Sequence, residues 1–321
     1  MSFSKDVKKE ILDNKFASRE QCLAFLCGLL YSSAEYEIND NNIENFIITT
    51  DVEFLFDYIK EMIETYFGEY EVGFKEIFKI GFVQYYQISL CNELAKKVLL
   101  ETTIAKLNGD KIMVDSNISE TFLNSEENIK GFMAGVFIGC GTSSILLEER
   151  TRTSTGYHLE IANQNYELLH EASNILAQFE ILAKLTKRKS IYVLYIKDAE
   201  EVSNVLALMG ASDAVLKLQN EIITRQVRNK INRQNNCYTS NYNKTLNASY
   251  NQLQAINIID KEVGIYNLPE DLLQVALLRL ANTEESLEEL LKLSKTPLTK
   301  SALNHKFQKL IKMSEKLKGK K

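Results

Sequence analysis

The chain has 321 residues, 45% of them apolar, with 38 basic and 43 acidic side chains and a net charge of −5. That is enough for two packed domains or more, and no stretch is long and apolar enough to span a bilayer. The five cysteines (Cys22, Cys27, Cys91, Cys140, Cys237) are scattered, form no Cys-x-x-Cys and, beside only three histidines, give no zinc-ligand spacing, so they fit a reducing cytoplasm.

In chain order, the charged start, residues 1–14, does not read as a secretion signal. A repeat follows. Its first copy reads as a helix over about 19–32, strands near 36–38 and 45–50, a helix over 52–67, strands over 70–80 and 82–90 around Gly81, and a helix over 92–107. The second copy repeats the order: a helix over 126–138, strands at 142–148 and 156–161, a helix over 163–178, strands at 181–185 and 191–196 joined by a turn at 187–190, and a helix over 199–209. The two opening helices each carry a glycine, Gly28 and Gly135, inside an apolar run. Gly inside a helix costs about 1 kcal/mol relative to Ala. Its recurrence at the same place in both copies predicts two helices whose backbones approach closely.

Residues 213–233 read as an amphipathic helix ending in Arg225, Arg228, Lys230 and Arg233, followed by a polar linker or hinge over 232–243. A helical domain starts at Lys244. One helix covers about 245–263 and stops at Gly264; another starts at Pro269, a favoured first helical position, and runs to 280. Ser286 and Glu289 form a capping box for a short helix with Leu287, Leu290 and Leu291 on one face. Pro297 marks a turn, and Thr299 is the expected N-cap of a last helix. In that helix Leu303, Phe307, Leu310 and Ile311 form one buried stripe, and Lys300, Ser301, Asn304, His305, Lys306, Gln308 and Lys309 form the other face. This is the pattern of a helix-turn-helix, and those side chains suit phosphates and base edges. Charge agrees. Residues 1–100 hold seventeen acids and ten bases, whereas residues 292–321 hold ten lysines and the single acid Glu315. An acidic body with a basic end concentrates nucleic-acid contact at the end.

The repeated helices resemble the paired motif of LAGLIDADG homing endonucleases, and the C-terminal region resembles the DNA-binding end of the WhiA family of bacterial sporulation and cell-division regulators. The WhiA likeness rests on Met1-Ser-Phe-Ser-Lys-Asp-Val-Lys-Lys-Glu10, Gly156-Tyr-His-Leu-Glu-Ile161, Asn232-Arg-Gln-Asn-Asn-Cys237, Leu268-Pro-Glu-Asp271 through Arg279-Leu280, Ser286-Leu-Glu-Glu-Leu290 and Leu298-Thr-Lys-Ser-Ala-Leu-Asn-His-Lys306. It covers nearly the whole chain in order. Tyr238 departs from it, standing where an acidic residue is expected. The resemblance implies an α+β fold: a duplicated αββαββα LAGLIDADG-like saddle over residues 1–212 (repeats at about 19–107 and 126–210), a linker helix and hinge over 213–243, and an all-α helix-turn-helix domain over 244–321.

Homing enzymes hold catalytic metal on an acidic residue near the end of each motif helix. Aligning Gly28 and Gly135 with the motif's first Gly puts Ser33 and Cys140 at those positions. Neither offers the hard carboxylate oxygen that Mg²⁺ favours, and Glu35 and Glu149 lie past the helix ends. The expectation is a scaffold kept without nuclease activity: no catalytic residue, no metal and no cofactor. Gly139-Cys-Gly141 lacks the third Gly of a dinucleotide fingerprint, and nothing in the sequence orients His158 toward Cys140.

The expected protein is a cytoplasmic, nucleoid-associated, monomeric regulator of cell division and chromosome segregation, with sporulation added in sporulating relatives. Its partner is double-stranded DNA, held by Thr299, Lys300, Lys306 and Lys309 and read by Ser301, Asn304 and His305. A rival expectation makes the acidic N-terminal domain a scaffold for another regulatory protein, and a third keeps a residual metal-dependent endonuclease.

Overall fold

A computed structural model describes residues 2–318 except 15, 40–41, 82, 109–110, 116–117, 119, 146–155 and 295. The chain divides into two compact units, Met1–Thr224 and Arg225–Lys321.

The first unit opens with α1 (Phe3–Asp13), capped by the Ser2 side chain and burying Val7, Ile11 and Leu12. The first copy of the repeat is α2 (Arg19–Ser33), β1 (Ala34–Asn39), β2 (Asn42–Thr50), α3 (Leu55–Tyr66), β3 (Gly73–Ile80), β4 (Val83–Cys91) and α4 (Asn92–Glu101). A hairpin of β5 (Ala105–Asn108) and β6 (Lys111–Val114) and a short 3-10 turn lead to the second copy. That copy is α5 (Glu126–Cys140), β7 (Gly141–Ile145), β8 (Tyr157–Asn163), α6 (Tyr166–Gln178), β9 (Lys184–Arg188), β10 (Ile191–Ile196) and α7 (Ala199–Leu208). The two four-stranded antiparallel sheets have matching orders, β1-β2-β4-β3 and β7-β8-β10-β9. The αββαββα repeat expected from the sequence is the fold.

The pseudo-symmetric centre is the α2–α5 pair. Both helices start on a serine cap, Ser18 and Ser125, and both are buried nearly all round, as helices at the heart of a core must be. A Cβ built on Gly28 would lie 2.2 Å from the Phe132 carbonyl oxygen, and one on Gly135 would lie 2.1 Å from that of Phe25. Each glycine therefore admits the other helix's backbone.

Four expectations need correction. The helix over 92–107 ends at Glu101: Thr103 takes a left-handed φ of 56°, and the chain turns into the β5–β6 hairpin. The strand expected over 181–185 is β9, and only Lys189 and Ser190 of the expected turn lie outside the strands; Lys187 and Arg188 pair with Tyr192 and Ile191. Pro269 is the cap of the following helix and Glu270 its first residue. The hinge at 232–243 is helical: α8 (Ser212–Val263) runs unbroken for 52 residues. Its Asn-rich stretch lowers helix propensity without containing Gly or Pro, the residues that break a helix. The helix stops at Gly264, whose φ of 85° supplies the left-handed exit. Of the strand expected over 142–148, the part from 146 onward lies outside the described residues.

In the second unit, α9 (Glu270–Ala281), α10 (Leu287–Leu293) and α11 (Lys300–Lys318) follow α8. Ile256, Ile259, Val275, Leu290, Leu303, Phe307 and Leu310 form their shared core.

Candidate nucleic-acid interface

α10 and α11 are fixed at their starts by local hydrogen bonds. The Ser286 N–H donates to the Glu289 carboxylate at 2.9 Å and the Glu289 N–H to the Ser286 hydroxyl at 3.3 Å, the reciprocal capping box. That backbone bond holds the Glu289 carboxyl below its ordinary range. In the turn, the Ser294 hydroxyl bonds to the Thr296 carbonyl at 2.9 Å; Lys295 lies outside the described residues. Thr299 is the cap expected from the sequence: its hydroxyl accepts from the Ala302 N–H at 3.2 Å and its carbonyl from the Leu303 N–H at 2.9 Å.

The periodicity of α11 then sorts its side chains. Leu303, Phe307 and Leu310 are fully buried, and Lys300, Ser301, Asn304, His305, Gln308 and Lys309 are exposed. The seven candidate residues thus run from the Thr299 cap through Lys309 of α11, six of them exposed and Lys306 half-buried. The structure also shows what the sequence did not. The Lys300 ammonium sits 2.5 Å from Glu288. Lys306 is half-buried, 3.5 Å from the Asp271 carboxylate, and donates to the Asp271 carbonyl at 3.3 Å. Lys309 has no ion pair among the described residues. Two of the three lysines expected on phosphates are thus held by acids on α10 and α9.

Arg279 is a residue that sequence reasoning missed. It is 1% exposed, donates through Nε to Gln252 at 2.9 Å and through Nη1 to the carbonyls of Asn282 and Glu285 at 3.0 and 2.7 Å, and lies over the Phe307 ring. The signal was present: with Val275 and Ala276 it occupies the core-facing positions of α9.

At the positions aligned with the acidic residues of the homing-endonuclease motif, α2 and α5 end on Ser33 and Cys140. The Ser33 hydroxyl is spent on the Leu29 carbonyl at 2.7 Å, and the Cys140 thiol lies 3.5 Å from the Val136 carbonyl. Burial pushes that thiol up to about 11, so it is a neutral group at pH 7. Nearby α1 packs on β7, where the Ser143 N–H donates to the Ser4 hydroxyl at 3.2 Å, and Lys8 is buried with Asp51 at 3.9 Å. A hydroxyl, a neutral thiol and a buried ammonium do not fit a divalent cation that needs carboxylate oxygens. Glu35 is an exposed residue of β1, and Glu149 lies outside the described residues. His158 pairs with Glu160 at 2.8 Å, and among the described residues no hydrogen bond joins it to Cys140.

Comparison with known proteins agrees with both halves. The family model described as the WhiA C-terminal HTH domain matches residues 231–314, and that described as the WhiA LAGLIDADG-like domain matches residues 129–228. A "Probable cell division protein WhiA" of Clostridium acetobutylicum is 32% identical over 319 residues, covering 99% of this chain and 98% of that protein. One of Clostridium perfringens is 33% identical over 322 residues with the same coverage. The crystal structure of full-length DUF199/WhiA from Thermatoga maritima superposes with a TM-score of 0.58 at 24% identity, over 98% of this chain and 99% of that one, a likeness of fold.

Proposed function

The chain belongs to the WhiA family, and on that footing we propose that it is a non-catalytic, DNA-binding regulator of cell division, reading double-stranded DNA with α11 in the major groove. The observation that carries this is the capped α10–turn–α11 pair, with Ser301, Asn304 and His305 on the exposed first two turns of the second helix. These three are the base-reading candidates. Thr299 turns the helix start toward a phosphate. Lys309 holds a phosphate directly, and Lys300 and Lys306 do so by exchanging Glu288 and Asp271 for phosphate oxygens. Chromosome segregation, and sporulation in sporulating relatives, fall within the same proposal, as do nucleoid association and action as a monomer. No helix among the described residues is long and apolar enough to cross a membrane.

Fluorescence anisotropy of the full chain on a preferred duplex and on scrambled ones tests the division of roles. Asn304→Ala should cost about 1–3 kcal/mol of discrimination between them. Lys309→Ala should weaken binding to both alike and flatten the salt slope by about 1. Identical behaviour of the two variants would refute the assignment. For the loss of catalysis, supercoiled plasmid with Mg²⁺ or Mn²⁺ should stay uncut, and nicking abolished by Glu35→Ala would reinstate the endonuclease reading.

A specific observation favours a second role for the first unit. In the β1–β2 pairing, Phe46 and Ile48 are buried, and the alternate face exposes Glu35 and Glu37. Two carboxylates on the sheet face with which homing enzymes grip DNA suit a basic protein surface better than a phosphate backbone.

A further inference from the structure

Resting on the reading that the second unit binds DNA, we propose that α8 is part of the same interface and that a DNA backbone phosphate seats in a cleft between α8 and the α10–α11 pair. The cleft is about 490 Å³. Asn241, Lys244 and Thr245 of α8, Arg279 of α9, Glu288 of α10 and Lys300 of α11 line it. Three cations with a neutral amide and a hydroxyl are the donor set that backbone contacts use. Arg279 adds a fixed donor. Its Nε and Nη1 are committed to protein acceptors, while Nη2 has no hydrogen bond among the described residues and Arg279 lines the cleft.

Glu288 is the counter-argument and also the mechanism. Its carboxylate holds Lys300 at 2.5 Å within the lining. A phosphate entering the cleft replaces that carboxylate on the same ammonium, so the cation is not left unpaired at any stage.

The occupant is identified by what leads into the cleft. From Ile222 to Ile259 α8 contains no acidic residue, while Arg228, Lys230, Arg233 and Lys244 are cations on it, and residues 226–244 are exposed without interruption. A free anion would need the cleft alone. An acid-free, cationic, solvent-facing helix continuing from it suits a polyanion. Lys300, at the first position of α11, belongs both to the cleft and to the proposed reading helix, so one duplex can engage both.

The test is the salt dependence of full-length protein binding to one duplex. Lys244→Gln removes an exposed side chain, so folding is not at stake. It should flatten the slope of log K against log salt by about 0.9, the value of one phosphate contact, and leave preference among sequences unchanged. Glu288→Gln should tighten binding by roughly two- to five-fold, the worth of one exposed ion pair. Lys60→Gln on α3 alters net charge equally and should leave the slope at the wild-type value. A wild-type slope for Lys244→Gln, an equal flattening by Lys60→Gln, or weaker binding by Glu288→Gln would each overturn the cleft while leaving the helix-turn-helix reading intact. A wild-type chain that binds no duplex would overturn both.

Discussion

Gly135→Ala should destabilise the first unit by about 2 kcal/mol or more, although alanine is the better helix former by about 1 kcal/mol. The sign is decided by sterics. The new Cβ would lie 2.1 Å from the Phe25 carbonyl oxygen and 2.8 Å from the Leu29 nitrogen. Both are backbone atoms of α2 and cannot rotate aside, so the helices must part and the surrounding core, Phe25, Leu29, Phe132 and Val136, must open with them. Overpacking of an interior typically costs 1–3 kcal/mol, and rigid neighbours put this site at the upper end. Gly28→Ala should behave alike, since its Cβ meets the Phe132 carbonyl oxygen at 2.2 Å. Gly139→Ala supplies the contrast. Its Cβ meets the Ser32 hydroxyl at 2.0 Å, a side-chain atom that can change rotamer, so the loss should be smaller. Urea denaturation followed by hydrogen exchange of α2 and α5 amides measures all three. Equal stability of Gly135→Ala and the parent would mean that the close approach does not hold the unit together.

This reciprocity explains why so much of the first unit was legible in the sequence. Helical and strand periods alternate there in a fixed order, and a glycine that costs helix stability recurs at the same point of each copy, so local and tertiary signals agree. Legibility fails where only tertiary context decides. The β5–β6 hairpin has four-residue strands and depends on a left-handed Thr103. α8 was misread for the opposite reason: Asn232 to Asn243 have the composition of a linker, yet a helix needs only the absence of a breaker once its neighbours are helical. α1 is a third case, since its apolar residues Val7, Ile11 and Leu12 are too few to announce a helix among so many charges.

At the candidate interface the division is similar. The caps at Ser286 and Thr299 and the stripe Leu303, Phe307 and Leu310 are local features, and the structure has them as the sequence implied, except that the fourth expected member, Ile311, is only half-buried and Ser314 is buried instead. The ion pairs that occupy Lys300 and Lys306 are not local. Their partners lie 12 and 35 residues away, and only the packing of α9 and α10 on α11 brings them near. A lysine count therefore overstates the charge available to DNA before binding, and the acids set a threshold that phosphate must displace.

Arg279→Met should cost the second unit about 3 kcal/mol or more and abolish DNA binding with it. Methionine preserves most of the buried volume, so the loss reports the hydrogen bonds together with the cation's contact with the Phe307 ring. It strands the buried Gln252 side-chain oxygen and the half-buried carbonyls of Asn282 and Glu285; a buried acceptor left unmade costs about 1–3 kcal/mol, and the two carbonyls, which water can partly reach, cost less each. Those carbonyls flank the segment that delivers Ser286 to its capping box, so freeing them loosens the start of α10 and, through the core at Leu290 and Leu303, the seat of α11. Arg279→Lys keeps the charge but not the planar fork that serves three acceptors at once, and should recover only part of the stability. Hydrogen exchange over residues 287–318, read beside DNA anisotropy, separates two roles. Lost protection together with lost binding makes Arg279 the residue that positions the helix pair. Lost binding with protection intact in the lysine variant makes its guanidinium a direct phosphate ligand in the cleft. Full protection and full affinity in Arg279→Met would leave it neither role.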